Sequence, residues 1–171
     1  MEARTIKYAI YNRKGKIPKR IADTTEVTLP DLEYLTETLT GAGINGEIDM
    51  PTLGQIASAV LSIAARALGE HAIEISAPET QHLEIRWAVM EMNEATGAVE
   101  PKDKKIIFKG VPKKTALGKL APNSAEESSV DLEMLYIKYI SGGVERIEID
   151  KLNDVYKVNG VDYNEKIRNM L

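Results

Sequence analysis

Few side chains in this 171-residue chain are spaced for chemistry. His71 and His82 are its two histidines, ten residues lie between them, and there is no cysteine. A metal site wants imidazole or thiolate ligands at a short repeat such as i, i+4, so both read as surface or helix-end histidines. No G-x-S-x-G elbow and no P-loop occurs. Gly41, Gly43 and Gly46 match G-x-G-x-x-G. That pattern holds a dinucleotide only between a strand and a helix whose amides face the pyrophosphate. Here Pro51 follows closely, and Glu47 and Asp49 would repel phosphate. The stretch reads instead as a turn, with Asn45-Gly46 as a two-residue connection, since both tolerate positive φ. The 26 Asp and Glu residues offer no recognisable pair, because pairing depends on distance in the fold. No cofactor is implied, and an enzyme is the weaker reading.

The elements are mostly strands. Ser129–Asp162 organises the chain: two runs rich in β-branched and aromatic residues flank Gly142-Gly143, a credible hairpin turn. In the second arm Ile147 and Ile149 alternate with Arg146, Glu148 and Asp150, as in a half-buried strand. The first arm is apolar on both faces: Leu135, Ile137 and Tyr139 on one, Met134, Tyr136 and Ile140 on the other. Such a strand needs cover twice, from this chain and from a further layer or a further copy.

Thr5–Tyr11, Ile21–Leu29, Leu83–Met92 and Lys104–Val111 read as strands, with Trp87 as a core anchor. The tract Arg13, Lys14, Lys16, Lys19, Arg20 reads as a solvated hairpin loop, and Ala116–Ser128 as a mobile loop. Asp31–Thr40 is ambiguous, with leucines at helical spacing and threonines that alternate. Periodicity alone makes Gln55–Leu68 the best helix. A short helix is expected at Tyr163–Leu171, carrying Ile167 and Leu171 inward.

Composition sets the class. The apolar fraction is 43% and the charged fraction 28%, ordinary for a globular protein, and the length suits one domain, 1–171. A net charge of −4 argues against a dedicated nucleic-acid binder. No apolar signal segment follows Met1, and Ile56–Leu68 is too short and polar to anchor in a membrane.

Four stretches resemble the major tail tube protein of contractile-tailed phages and related bacteriocins: Val27–Leu32, Gly41–Gly46, Val144–Asp150 and Val158–Asp162. The last two are the most specific, because their spacing also fits. The resemblance implies a β-sandwich or small barrel with a flanking helix and a long hairpin. It also makes Ala57–Leu68 a strand and moves the helix to Glu70–Pro78, and that version is preferred to the periodicity. It implies stacked hexameric rings inside a contractile sheath, with baseplate and tail terminator proteins at the ends. DNA would pass in transit without specific binding, in a virion or phage-tail-like particle assembled in the bacterial cytoplasm.

On that reading Gly41, Gly43, Asn45, Gly46, Asn159 and Gly160 are turn or inter-subunit positions. The lysine block Lys102–Lys119, including Lys113 and Lys114, is expected to meet Glu126, Glu127, Asp131 and Glu133 of a neighbour. Glu148 and Asp150 are expected to face an acidic or neutral lumen, where a polyanion slides rather than sticks. The alternative is a small soluble β-rich enzyme or ligand-binding domain whose site forms no motif.

Overall fold

The computed structural model describes residues 1–171. In chain order the elements are β1 (Glu2–Asn12), β2 (Lys19–Ile21), β3 (Thr24–Thr28), β4 (Tyr34–Leu39), β5 (Ile48–Ile56), β6 (Val60–Ala65) and α1 (Glu70–Ile75). There follow β7 (Gln81–Met92), β8 (Val99–Ala116), β9 (Ser128–Ser141), β10 (Val144–Asp150), β11 (Val155–Val158), β12 (Val161–Asp162) and α2 (Glu165–Met170). The mainly-β class with short flanking helices is therefore as expected.

One ten-stranded sheet dominates. Its main path runs β12-β11-β10-β9-β8-β7-β1-β2, and β3 and β6 branch from it. The branch point is β9. Its first half, Ser128–Glu133, pairs with β6, and its second half, Tyr136–Ser141, pairs with β10, while β8 follows both halves. The core lies between the two limbs and contains Ile10, Leu61, Ile63, Leu83, Phe108, Leu132, Met134 and Ile149 among 16 clustered residues. Trp87 is only half-buried; it packs on this core with its ring 6.0 Å from that of Tyr139.

A bulge explains why β9 looked apolar on both faces. Tyr136 pairs with Lys109 and Met134 with Gly110, so Leu135 is an extra residue opposite neither. The bulge shifts the period by one. Val130, Leu132 and Met134 face the core before it, and Ile137 and Tyr139 after it. Leu135, Tyr136 and Ile140 are left half-exposed on the other face, so the need for a second cover is smaller than the sequence suggested.

Two other readings are corrected. Gln55–Leu68 is not a helix: β6 alternates, with Leu61, Ile63 and Ala65 buried, and is hydrogen-bonded between β3 and β9. The other face, Val60, Ser62 and Ala64, is half-buried and mostly apolar, which puts apolar residues at helical spacing by coincidence. The helix is α1, within the range the resemblance implied. The terminal helix exists, but it buries nothing; Ile167 is 38% exposed and Leu171 fully exposed.

Candidate functional site

The unusual element is a ribbon. β4 and β5 form their own two-stranded sheet away from the main one. Asp31–Thr40 is thus resolved as a strand, in favour of its alternating threonines; Thr38 donates to Asp49 across the pair at 2.7 Å. Every residue from Asp31 to Leu53 except Ile44 is exposed, including Leu32, Tyr34, Leu35, Leu39, Ile48, Met50 and Leu53.

The tip of the ribbon spans residues 40–47. Ile44 donates its backbone N–H to the Gly41 carbonyl at 3.1 Å, and Gly43 and Gly46 take φ of 95° and 100°. Asn45 keeps negative φ, so Asn45-Gly46 is not the tight two-residue turn expected. The glycines precede a strand rather than a helix, which removes the amide cradle a dinucleotide needs.

The foot of the ribbon is fixed. Four residues, Thr52–Gln55, lie between the β5 partners of Thr36 and Tyr34, which bends the strand. The Tyr34 and Tyr156 hydroxyls share a hydrogen bond of 2.5 Å, and burial with that bond pushes the Tyr156 phenol up to about 12. Asn164, itself buried, donates to the Gly54 carbonyl at 3.3 Å and to Asp154 at 3.0 Å. Gly54 has φ of 69°, and a Cβ there would overlap the Asn164 carboxamide. A cleft of about 400 Å³ remains beside it, lined by Tyr34, Leu53, Tyr156 and Tyr163.

At the opposite edge of the main path, the sheet face away from the core is cationic. Glu84 on β7 is completely buried beneath cations: Arg13, Arg86 at 2.6 Å and Lys105 at 3.8 Å. Burial pushes its carboxyl up, but the Arg86 and Arg13 hydrogen bonds more than offset this, so it stays below the usual carboxylate range. Arg86 lies over the Tyr11 ring at 5.2 Å.

The remaining expected positions are scattered. Lys113 meets Glu133 at 3.4 Å and Lys119 meets Glu127 at 3.7 Å within one chain. Lys114 sits opposite Asp131, and Glu126 accepts the Leu68 N–H at 3.2 Å. The two charge sets therefore already meet inside the subunit. Asn159 and Gly160, with φ of 50° and 82°, form the exposed turn between β11 and β12. Glu148 shares a hydrogen bond with Glu145, which raises Glu148 and lowers Glu145. The Asp150 carboxylate accepts the N–H groups of Leu152 and Asn153 at 3.1 and 3.2 Å, closing the β10–β11 turn. His71 on α1 and His82 on β7 belong to separate elements, and no three potential ligands converge.

The family model for phage tail tube protein FII matches residues 18–171. The chain belongs to this family. The tail tube protein of Escherichia phage P2 is 29% identical over 157 residues, covering 83% of each chain. Two solved structures of an extracellular contractile injection system share the fold at 13% identity. Its sheath/tube terminator has a TM-score of 0.53, covering 78% of this chain and 92% of that one. The chain from its sheath-tube complex has a TM-score of 0.51, covering 78% and 88%. This tail tube protein is a structural component of a phage tail or phage-tail-like particle, not an enzyme.

Sequence reasoning missed the Glu84 cluster and the Tyr34–Tyr156–Asn164 foot, which are long-range. It also missed a signal that was present. No Lys or Arg occurs from Ile21 to Ala65, while Asp23, Glu26, Asp31, Glu33, Glu37, Glu47 and Asp49 do.

Proposed function

We propose that copies of this one-domain chain, 1–171, close into hexameric rings that stack as the inner tube of a contractile tail. A sheath surrounds the tube, and baseplate and terminator proteins meet its ends. The particle assembles in the bacterial cytoplasm and then passes DNA or punctures a membrane. The observation that carries this is surface. The chain exposes 11261 Å², whereas a compact monomer of its mass, 18.9 kDa, would expose about 8,300 Å². The excess is larger than a standard interface of about 1,600 Å². Much of it is an apolar ribbon that two strands cannot stabilise alone.

On this reading the Gly41–Gly46 tip and the Asn159-Gly160 turn meet neighbouring copies, and Glu148 and Asp150 face the lumen. The Lys113–Glu133 pair supports a modified role for the charge sets: the subunit brings them together, and a neighbour meets a partly neutralised edge. Lys114, with no ionic partner within 4 Å, remains available to it. Negative-stain microscopy across a concentration series tests the assembly. Rings and tubes are expected, and monodisperse particles at every concentration would defeat it.

A further inference from the structure

Charge and topology together identify which surfaces of two copies meet. The ribbon carries Asp31, Glu33, Glu37, Glu47 and Asp49 and no cation, and none of these carboxylates has an ionic partner within its own chain. Its exposed leucines and Met50 make it apolar as well as anionic.

A receptor for such a ribbon must be apolar, grooved and cationic. The lysine block on β8 is a poorer one, because Lys102, Lys104, Lys105 and Lys113 already hold carboxylates of their own chain, which leaves Lys109 and Lys114. Among the cations without ionic partners, Lys7, Lys16, Lys19 and Arg20 lie together on the β1–β2 hairpin, while others, such as Lys109, Lys114, Arg146, Lys157 and Lys166, are spread over β8 and the β10–α2 end. Beside them the sheet forms a cleft of about 590 Å³, lined by Lys7, Tyr11, Arg20, Arg86, Lys105 and Ile140. One carboxylate, Asp103, lines the cleft among these cations, and Glu84 beside them is fully buried and saturated by Arg13 and Arg86.

We propose that the acidic β4–β5 ribbon of one copy seats in the cationic cleft over β1, β2 and β7 of a second copy. This rests on the self-assembly reading above and names its contact. The topology favours two copies. The foot of the ribbon sits on Tyr156 and Asn164, at the β11–β12 edge, and the cleft spans β2, β1, β7 and β8, with Ile140 of β9 at its rim. Five strand spacings, about 24 Å, separate β12 from β7, in the middle of the cleft, along the sheet. Two different complementary surfaces on one chain make a head-to-tail contact, the kind that closes a ring or propagates a filament. Exposed charges are screened within about 10 Å at 0.1 M salt, so the contact weakens as salt rises.

Charge reversal tests it. One variant carries Glu37→Lys with Glu47→Lys, another Lys7→Glu with Arg20→Glu; all four side chains are exposed and without ionic partners, so circular dichroism and Tm should match the parent. Each variant alone should need at least tenfold more protein to form tubes. An equimolar mixture of the two, and a chain carrying all four changes, should assemble within threefold of the parent. If the ribbon variant assembled like the parent, or if neither the mixture nor the four-fold variant recovered, the contact would be wrong although the parent still formed tubes. A parent that never assembles would instead remove the tube reading itself.

Discussion

At the residue scale, Glu84 shows how a carboxylate can be buried without catalytic purpose. It ties Arg13, and with it the β1–β2 hairpin, to β7. Hydrogen bonds to charged groups are worth about 1.5–3 kcal/mol, so Glu84→Ala should lower stability by about 2 kcal/mol in urea unfolding at neutral pH. Its folded carboxyl is held low, so its contribution is complete above the unfolded value of 4.5 and is lost as pH falls through the folded one. The variant should therefore show a shallower acid limb. Glu148 works in the opposite sense. The hydrogen bond with Glu145 raises it, so the folded state binds the extra proton, and that stabilisation fades as pH climbs above 4.5. Glu148→Gln should gain about 0.5 kcal/mol at pH 7, the scale of relieving a like-charge neighbour on a sheet, and nothing at pH 4. The alternation of β7 places Glu84 and Arg86 on one polar face, which was legible. The burial of Glu84 was not, because Arg13 arrives from 71 residues away.

At the element scale, alternation located the strands and failed where the ladder is irregular. The β9–β10 hairpin was legible from Gly142-Gly143, whose φ values of 59° and 78° need residues free of a Cβ penalty. The Leu135 bulge was not, since a one-residue insertion reads as a second apolar face. It is also what keeps both halves of β9 in phase with the core. Deleting Leu135 would turn either Val130, Leu132 and Met134 or Ile137 and Tyr139 outward. The deletion should abolish cooperative unfolding in calorimetry, whereas Leu135→Ala, which keeps the count, should leave a folded protein. Periodicity alone misread β6, which the resemblance rightly made a strand: its second face, Val60, Ser62 and Ala64, is half-buried and mostly apolar, so it shows no clear polar stripe to betray its period. The foot of the ribbon depends on Gly54. Gly54→Ala forces a positive φ on alanine and drives a methyl group into Asn164. A loss of about 1–3 kcal/mol is expected, with faster hydrogen exchange confined to residues 31–56.

At the scale of the whole molecule, the chain divides into a body that stabilises itself and a ribbon that does not. None of the 16 clustered core residues belongs to β4 or β5; Ile56, at the end of β5, packs against the cluster, and Tyr34, at the start of β4, stacks on its member Tyr156. The body should then fold without the ribbon. Tyr34 and Ile56 are cross-strand partners, so their backbones are already close enough for a tight turn to join them. A chain in which residues 35–55 are replaced by a short Asn-Gly connection removes the anionic apolar surface and leaves the branched sheet intact. Its Tm should fall by only a few degrees, because it loses little buried area, and it should stay monomeric in sedimentation at concentrations where the parent polymerises. Unfolding of the shortened chain would show that the ribbon serves the body rather than the assembly. Tubes formed without it would place the decisive contact elsewhere on the sheet.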